Sequence, residues 1–384
     1  MDLDRLIEHA AAAGDYEEIA PAAAALAASG DLSLVPRLLT ALEAFLAEEN
    51  FYGRDLVATV LAGIQGPAAL PALLRASARD LGDDQDGLST EIASLLEQDP
   101  DAARPIVLEL VASPDAALRR TGLWALGFIA GPADNAIWAE AALDPDPRIR
   151  AEAIDAIDDP GSDERAFAVL IRAVRDPSPD VRTAAVSRLG AIRRPDAAAP
   201  LSEAAGDPSA QVRARIAYAL GRLRTPAATP ALRRLLDDPD EFVRRYALAA
   251  LGTTGGEDAV DTLLTLAASG NPEHRERAAK ALPAAAGTDP RVAPALAALA
   301  ADREHPVRAA LASGLASTGT TRPDWPPLLL ALADDPQSSV RERVAVAVRH
   351  VAPSVAPDLL RRYADHDPDP AIRRTATVQL TRLP

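Results

Sequence analysis

DPSPDVRTAAVSRLG (176–190), DPSAQVRARIAYALG (207–221) and DPDEFVRRYALAALG (238–252) are one pattern written three times. Asp-Pro, Val-Arg and Leu-Gly return in register every 31 residues. Followed outward by its arginine, the series runs Arg54, Arg119, Arg150, Arg182, Arg213, Arg244, Arg275, Arg308, Arg341 and Arg373, with Ser89 in the equivalent place between the first two. The intervals are 30 to 35 residues. A fixed period of this size marks a repeat architecture, in which one small supersecondary unit is stacked on its neighbours.

Each unit reads as helix, turn, helix. Asp207-Pro208 supplies an N-cap followed by proline at the first helical position, where its missing N–H costs nothing. Gly221 and Gly252 stand where a C-terminal glycine ends the second helix. Between them, 225–237 carries Pro226 and then Ala227, Leu232, Leu235 and Leu236 at helical spacing, the first helix of the next unit. The chain's 33 prolines therefore fall mostly at helix starts and turns.

The Asp-Pro, Val-Arg and Leu-Gly positions resemble the HEAT-repeat superfamily, most closely the short repeats of the bilin-lyase HEAT-like group. The likeness is sharpest over 113–252, looser over 271–383 and weakest before 110. It implies an all-α solenoid of about eleven to twelve stacked helix-turn-helix repeats, the second helix of each lining a concave face. Physics agrees, because one such pair cannot bury its apolar stripe alone. Residues 1–110 are expected to form divergent, strongly acidic repeats, continuous with regular repeats over 111–384.

Composition narrows the chemistry. The 384 residues hold 40 basic and 56 acidic side chains, a net charge of −16 that opposes coating nucleic acid. With no cysteine, disulfides, thiolate metal sites and cysteine nucleophiles are excluded. Apolar residues reach 48% but aromatics only 3%, as suits closely packed helices. No apolar run approaches the length of a membrane span, and the first residues lack the basic head of a secretory signal, so a cytoplasmic protein is expected.

On a helical wheel with Val212 at zero, Ile216 and Leu220 centre the buried arc near about 60°, and Arg213 falls at about 100°, inside it. A guanidinium among apolar neighbours needs a carboxylate and further acceptors. The repeated aspartate, of the same unit or the next, is the expected partner. The series Arg119, Arg150, Arg182, Arg213, Arg244, Arg275, Arg308, Arg341 and Arg373 thus reads as a structural ladder, as the resemblance also implies.

The residues one, two and five places after each arginine point away from the stack. They make a candidate concave strip that includes Arg120, Trp124, Glu152, Asp155, Arg215, Tyr218, Arg245, Tyr246, Arg277 and Lys280. Tyr, Trp and Arg are the types enriched at binding hot spots. Alternatively, the tyrosines are spacers between helices and the arginines a solvated surface.

Charge is unevenly spread: residues 1–110 hold 20 acidic and 6 basic side chains, net −14. There Asp80, Asp83, Asp84, Asp86 and Glu91 form a candidate acidic surface, either a polar cap or a field that steers a basic partner. A calcium-loop reading with Gly87 as turn glycine fails, since Gly82 and Ala93 fall where Asp and Glu are required. Asp365-His366-Asp367 reads as an ordinary inter-helix turn, and the other histidines, His9, His274, His305 and His350, show no paired spacing. No phosphate loop, dinucleotide fingerprint or nucleophile elbow is present, and no cofactor or metal is expected. Glu152 and Asp155 lie three apart on one helix, a spacing that lets two carboxylates approach for acid–base work but is common on helix surfaces.

The sequence therefore points to a non-catalytic, protein-binding scaffold. Other readings are an immunity or inhibitor protein neutralising a basic toxin through the acidic third, a bilin-lyase-like tetrapyrrole handler, and a HEAT-like DNA glycosylase built on Trp124, Tyr218, Arg215 and Asp155. The net charge opposes the last.

Overall fold

The computed structural model describes residues 2–12, 16–79, 81–82, 85–157, 163–285, 287, 289–318 and 322–383. Among them are α-helices and short 3-10 turns, with no strand. Two compact units, Met1–Asp159 and Pro160–Pro384, divide the chain. In the second unit the helices form pairs, from Glu164–Ala173 with Pro179–Ile192 to Ala356–His366 with Pro370–Leu380. The first unit follows the same plan, from Leu3–Ala11 with Tyr16–Ser29 to Asn135–Ala141 with Pro147–Ala156.

One repeat shows why these residues fold this way. In Ala210–Leu223, Val212, Ile216 and Leu220 are fully buried on one stripe, and burying each such side chain is worth about 1.5–3 kcal/mol. The first helix of the next pair, Thr229–Leu235, buries Leu232 and Leu235 against that stack. Two readings of the repeat are corrected at its ends. Asp207-Pro208 precedes the helix, whose N-cap is Ser209; the Asp207 carboxylate accepts the Ser209 N–H at 2.8 Å and so holds the turn instead. Where an aspartate caps a second helix, it lies two residues further on, as Asp240 accepts from the Phe242 and Val243 N–H groups at 2.8 and 3.2 Å.

The Leu-Gly glycines do not end their helices either. Gly221 lies inside Ala210–Leu223, which stops at Arg224 in a left-handed conformation (φ 49°). Its reason is close approach: a Cβ on Gly221 would sit 2.8 Å from Ala250 Cβ and 2.9 Å from Ala250 Cα of the next second helix. Gly190 meets Ala219 in the same way. Within the second unit, second helices thus pack backbone to backbone, while first helices meet over less of their length.

In the first unit, Phe51–Ser77 is long and apolar enough to cross a membrane, with a mean hydropathy of 1.6 over its most apolar stretch, against the expectation that no segment would be. Alanine and leucine with few charges produce that average. The stretch is two helices joined by a 3-10 turn at Gly66–Ala69, and 56% of its most apolar part is buried within the protein.

Candidate functional site

The marker arginines form the ladder, and its direction is resolved. Arg213 in Ala210–Leu223 donates through Nε and Nη2 to both carboxylate oxygens of Asp238, at 2.6 and 2.9 Å. Its Nη1 donates backward to the Asp207 and Pro208 carbonyls, at 2.8 and 3.3 Å. Arg213 therefore clamps the aspartate of the next repeat and the carbonyls of its own. Arg182 does this with Asp207, Arg275 with Asp302, Arg308 with Asp335, Arg341 with Asp367 and, in the first unit, Arg119 with Asp144. Hydrogen bonds from Arg119, Arg213 and Arg341 hold the Asp144, Asp238 and Asp367 carboxyls below the usual carboxylate range. Arg150 reaches the Asp144 and Pro145 carbonyls. Arg54 is fully buried and pairs with its neighbour Asp55 at 2.7 Å.

Arg244 and Arg373 differ, for among the described residues they donate only to the carbonyls of their own turns. Arg373 belongs to the last repeat of the sequence. Arg244 is an interior rung, and the next repeat offers Ser269 where its neighbours have aspartate.

On the second helices Ala210–Leu223 and Glu241–Thr254, the structure brings Arg215, Tyr218, Arg245 and Tyr246 together. The two tyrosine rings meet edge to face, centroids 6.0 Å apart at 79°. The Arg245 guanidinium lies 4.9 Å from the Phe242 ring and 5.7 Å from the Tyr246 ring. Arg215, Tyr218, Phe242 and Tyr246 line an open groove of about 580 Å³ with Gln211 and Asp240, and Arg245 lies beside its rings. Tyr218 is 43% exposed, Phe242 59% and Tyr246 37%, a large apolar area left to solvent by a chain so poor in aromatics. Phe242 escaped the sequence reading although the signal was available. It sits two places before its arginine, about 160° round the wheel and between the positions five and two places after it.

Arg277 and Lys280 line a second groove, of about 400 Å³, together with Arg244 and Arg245. Arg277 is half-buried and lies 3.8 Å from Glu273.

The remaining strip residues lie in the first unit. Arg120 and Trp124 line a groove of about 500 Å³ there with Glu152. Glu152 accepts from Arg120 Nε at 2.8 Å, so its carboxylate is tied to a cation. Asp155 is exposed on the same helix and lies outside the lining. Trp124 is half-buried and packs edge to face on Phe128, 5.0 Å between centroids.

Of the acidic candidates, Asp80, Asp83 and Asp84 lie outside the described residues. Asp86 is exposed at the first position of Asp86–Gln98. Glu91 is half-buried and accepts from Thr59 Oγ1 at 3.0 Å, a tie between helices. Among the described residues, no group of three or more His, Asp or Glu side chains is placed to hold a metal ion.

Paired helices, a buried stripe shared between neighbours and a ladder between successive turns define an α-solenoid of helical repeats. The family model of HEAT repeats matches at 135–211, 200–282, 243–316 and 292–381, well over half of the chain. The chain belongs to the HEAT-repeat family. No curated protein matches it. Among solved structures it is similar to Kap95p in complex with RanGDP, at 16% identity and a TM-score of 0.60, over 99% of this chain and 60% of that one. It is also similar to Kap121p bound to Pho4p, at 16% identity and a TM-score of 0.58, over 97% of this chain and 48% of that one. The complex of CpcE and CpcF of phycocyanin lyase from Nostoc sp. PCC7120 matches at 20% identity and a TM-score of 0.37, over 65% of this chain and 94% of that one. The chain thus spans about half to three fifths of the length of the two solenoids Kap121p and Kap95p.

Proposed function

We propose that this protein is a non-catalytic, cytoplasmic scaffold that holds another protein on the second-helix face of its Pro160–Pro384 unit. The observation that carries the reading is the groove of Tyr218, Phe242 and Tyr246 flanked by Arg215 and Arg245. Rings and guanidinium groups combine large contact area with directed polar groups, the composition of binding hot spots. Kap121p, which shares the fold, binds Pho4p in its solved structure, so this architecture supports protein recognition. The test compares partners of the tagged full chain with those of a Tyr218→Ala/Tyr246→Ala variant, by in-cell crosslinking and mass spectrometry. Both side chains are exposed, so the variant melts within a few degrees of the parent. Loss of a crosslinked protein is expected; an unchanged partner set overturns the reading.

A second reading rests on the charge of −14 in residues 1–110. Such a field steers a basic protein, as a toxin-neutralising role requires. Affinity for a basic partner then falls steeply as salt rises, and salt-independent binding contradicts it.

A further inference from the structure

In the ladder, the Nε–Nη2 edge of a marker arginine is a fork built for one carboxylate. Six times it holds one: Arg119, Arg182, Arg213, Arg275, Arg308 and Arg341 each bridge both oxygens of an aspartate. At Arg244 the aspartate is replaced by Ser269, whose Oγ shares a hydrogen bond with His274 Nδ1 at 3.1 Å, yet the backbone hydrogen bonds of the turn that would carry the aspartate are kept. The Asn271 N–H donates to Ser269 Oγ at 3.2 Å, as the Asp240 N–H donates to Asp238 at 2.9 Å. Arg275 donates back to the Ser269 and Gly270 carbonyls at 3.1 Å, just as Arg213, two repeats earlier, does to those of Asp207 and Pro208. Arg244 itself remains anchored through Nη1 to the Asp238 and Pro239 carbonyls, at 2.7 and 2.8 Å.

This rung also opens onto the surface. Arg244 lines the groove of about 400 Å³ that it shares with Arg245, Arg277 and Lys280. Glu241, Glu273 and Glu276 line it too, so four cations face three carboxylates and the balance admits one further negative charge rather than a run of them. Arg245 joins this groove to the aromatic one, since it lines the first and stacks on Phe242 and Tyr246 in the second.

We propose that the Arg244 fork binds a single Asp or Glu side chain of a partner protein, in a segment whose neighbouring aromatic residues lie on Tyr218, Phe242 and Tyr246. The partner's carboxylate replaces the missing aspartate and completes the ladder in trans. Planar two-point recognition of a carboxylate is what a guanidinium does best. The inference rests on the reading of the second-helix face as a protein-binding surface.

Filling the fork from within tests it. Ser269→Asp places an internal carboxylate on the Arg244 edge and is expected to raise the melting temperature by about 2–4 °C, as one added charged hydrogen bond does in a chain of this size. Binding is read by fluorescence anisotropy with a labelled Gly-Phe-Glu-Phe-Gly peptide and its Gly-Phe-Gln-Phe-Gly counterpart. In the parent protein the glutamate peptide is expected to bind at least about tenfold tighter. In Ser269→Asp that preference disappears, while weak binding common to both peptides remains and is lost in Tyr218→Ala/Tyr246→Ala. Equal binding of the two peptides to the parent overturns the proposal, as does a preference that survives Ser269→Asp. A Ser269→Asp protein that melts no higher shows that the fork does not accept a carboxylate and also overturns it. Each of these failures leaves the scaffold reading standing, because that reading falls only if the double tyrosine variant keeps every crosslinked partner.

Discussion

Arg213 shows how a charged side chain can belong in a repeat core. Its side chain is 14% exposed and every hydrogen bond it makes goes to a turn: two to the next repeat's aspartate, two to its own carbonyls. Arg213→Ala leaves Asp238 and two carbonyls short of a donor, and is expected to cost about 2–3 kcal/mol in denaturant unfolding; unchanged stability contradicts the ladder. The same rungs set a pH dependence. A carboxyl whose pKa is depressed in the folded state contributes stability that is full above its unfolded pKa of about 3.9 and is lost as pH falls through the lower folded value. Asp144, Asp238 and Asp367 are such groups, held down by hydrogen bonds from their arginines. Their contribution to the melting temperature is therefore constant from pH 7 to about pH 5 and declines below about pH 4. In Asp238→Asn part of that acid-side decline is missing.

At the scale of the helix, the glycine of each Leu-Gly pair is a spacing device. Gly221→Ala drives a methyl into Ala250 and is expected to destabilise by about 1–3 kcal/mol, the cost of overpacking. Gly127, inside Ala116–Ile129, has nothing within 4 Å of a built Cβ, so Gly127→Ala is expected to stabilise by about 1 kcal/mol. Two thermal melts decide the pair. The period, the helix pairs, the buried stripe and the burial of the arginines were legible in the sequence because each depends on spacing along a single helix. What lay between helices was not. Gly221 looked like a cap because its distance from Ala250 exists only once the stack is built. Likewise Asp207 and Asp238 were equally good partners for Arg213 until packing put the next repeat's turn within reach. The exposed strip came from the same wheel, which also contained Phe242 and would have yielded it had the positions before the arginine been read.

For the whole molecule, stability is shared between neighbours rather than drawn from one central core. The two arrangements of charge follow from this division. The ladder aspartates are consumed internally, so the second unit's exposed arginines, Arg215 and Arg245, stand beside aromatic rings within a protein whose net charge is −16. The most direct measurement of this account is native-state hydrogen exchange on Arg213→Ala, residue by residue across the Pro160–Pro384 unit. The account predicts faster exchange in Ala210–Leu223 and Glu241–Thr254, the helices that Arg213 ties together, with protection kept in Ser338–Val351 and Ala356–His366. A uniform loss of protection over the unit, or none at all, contradicts it.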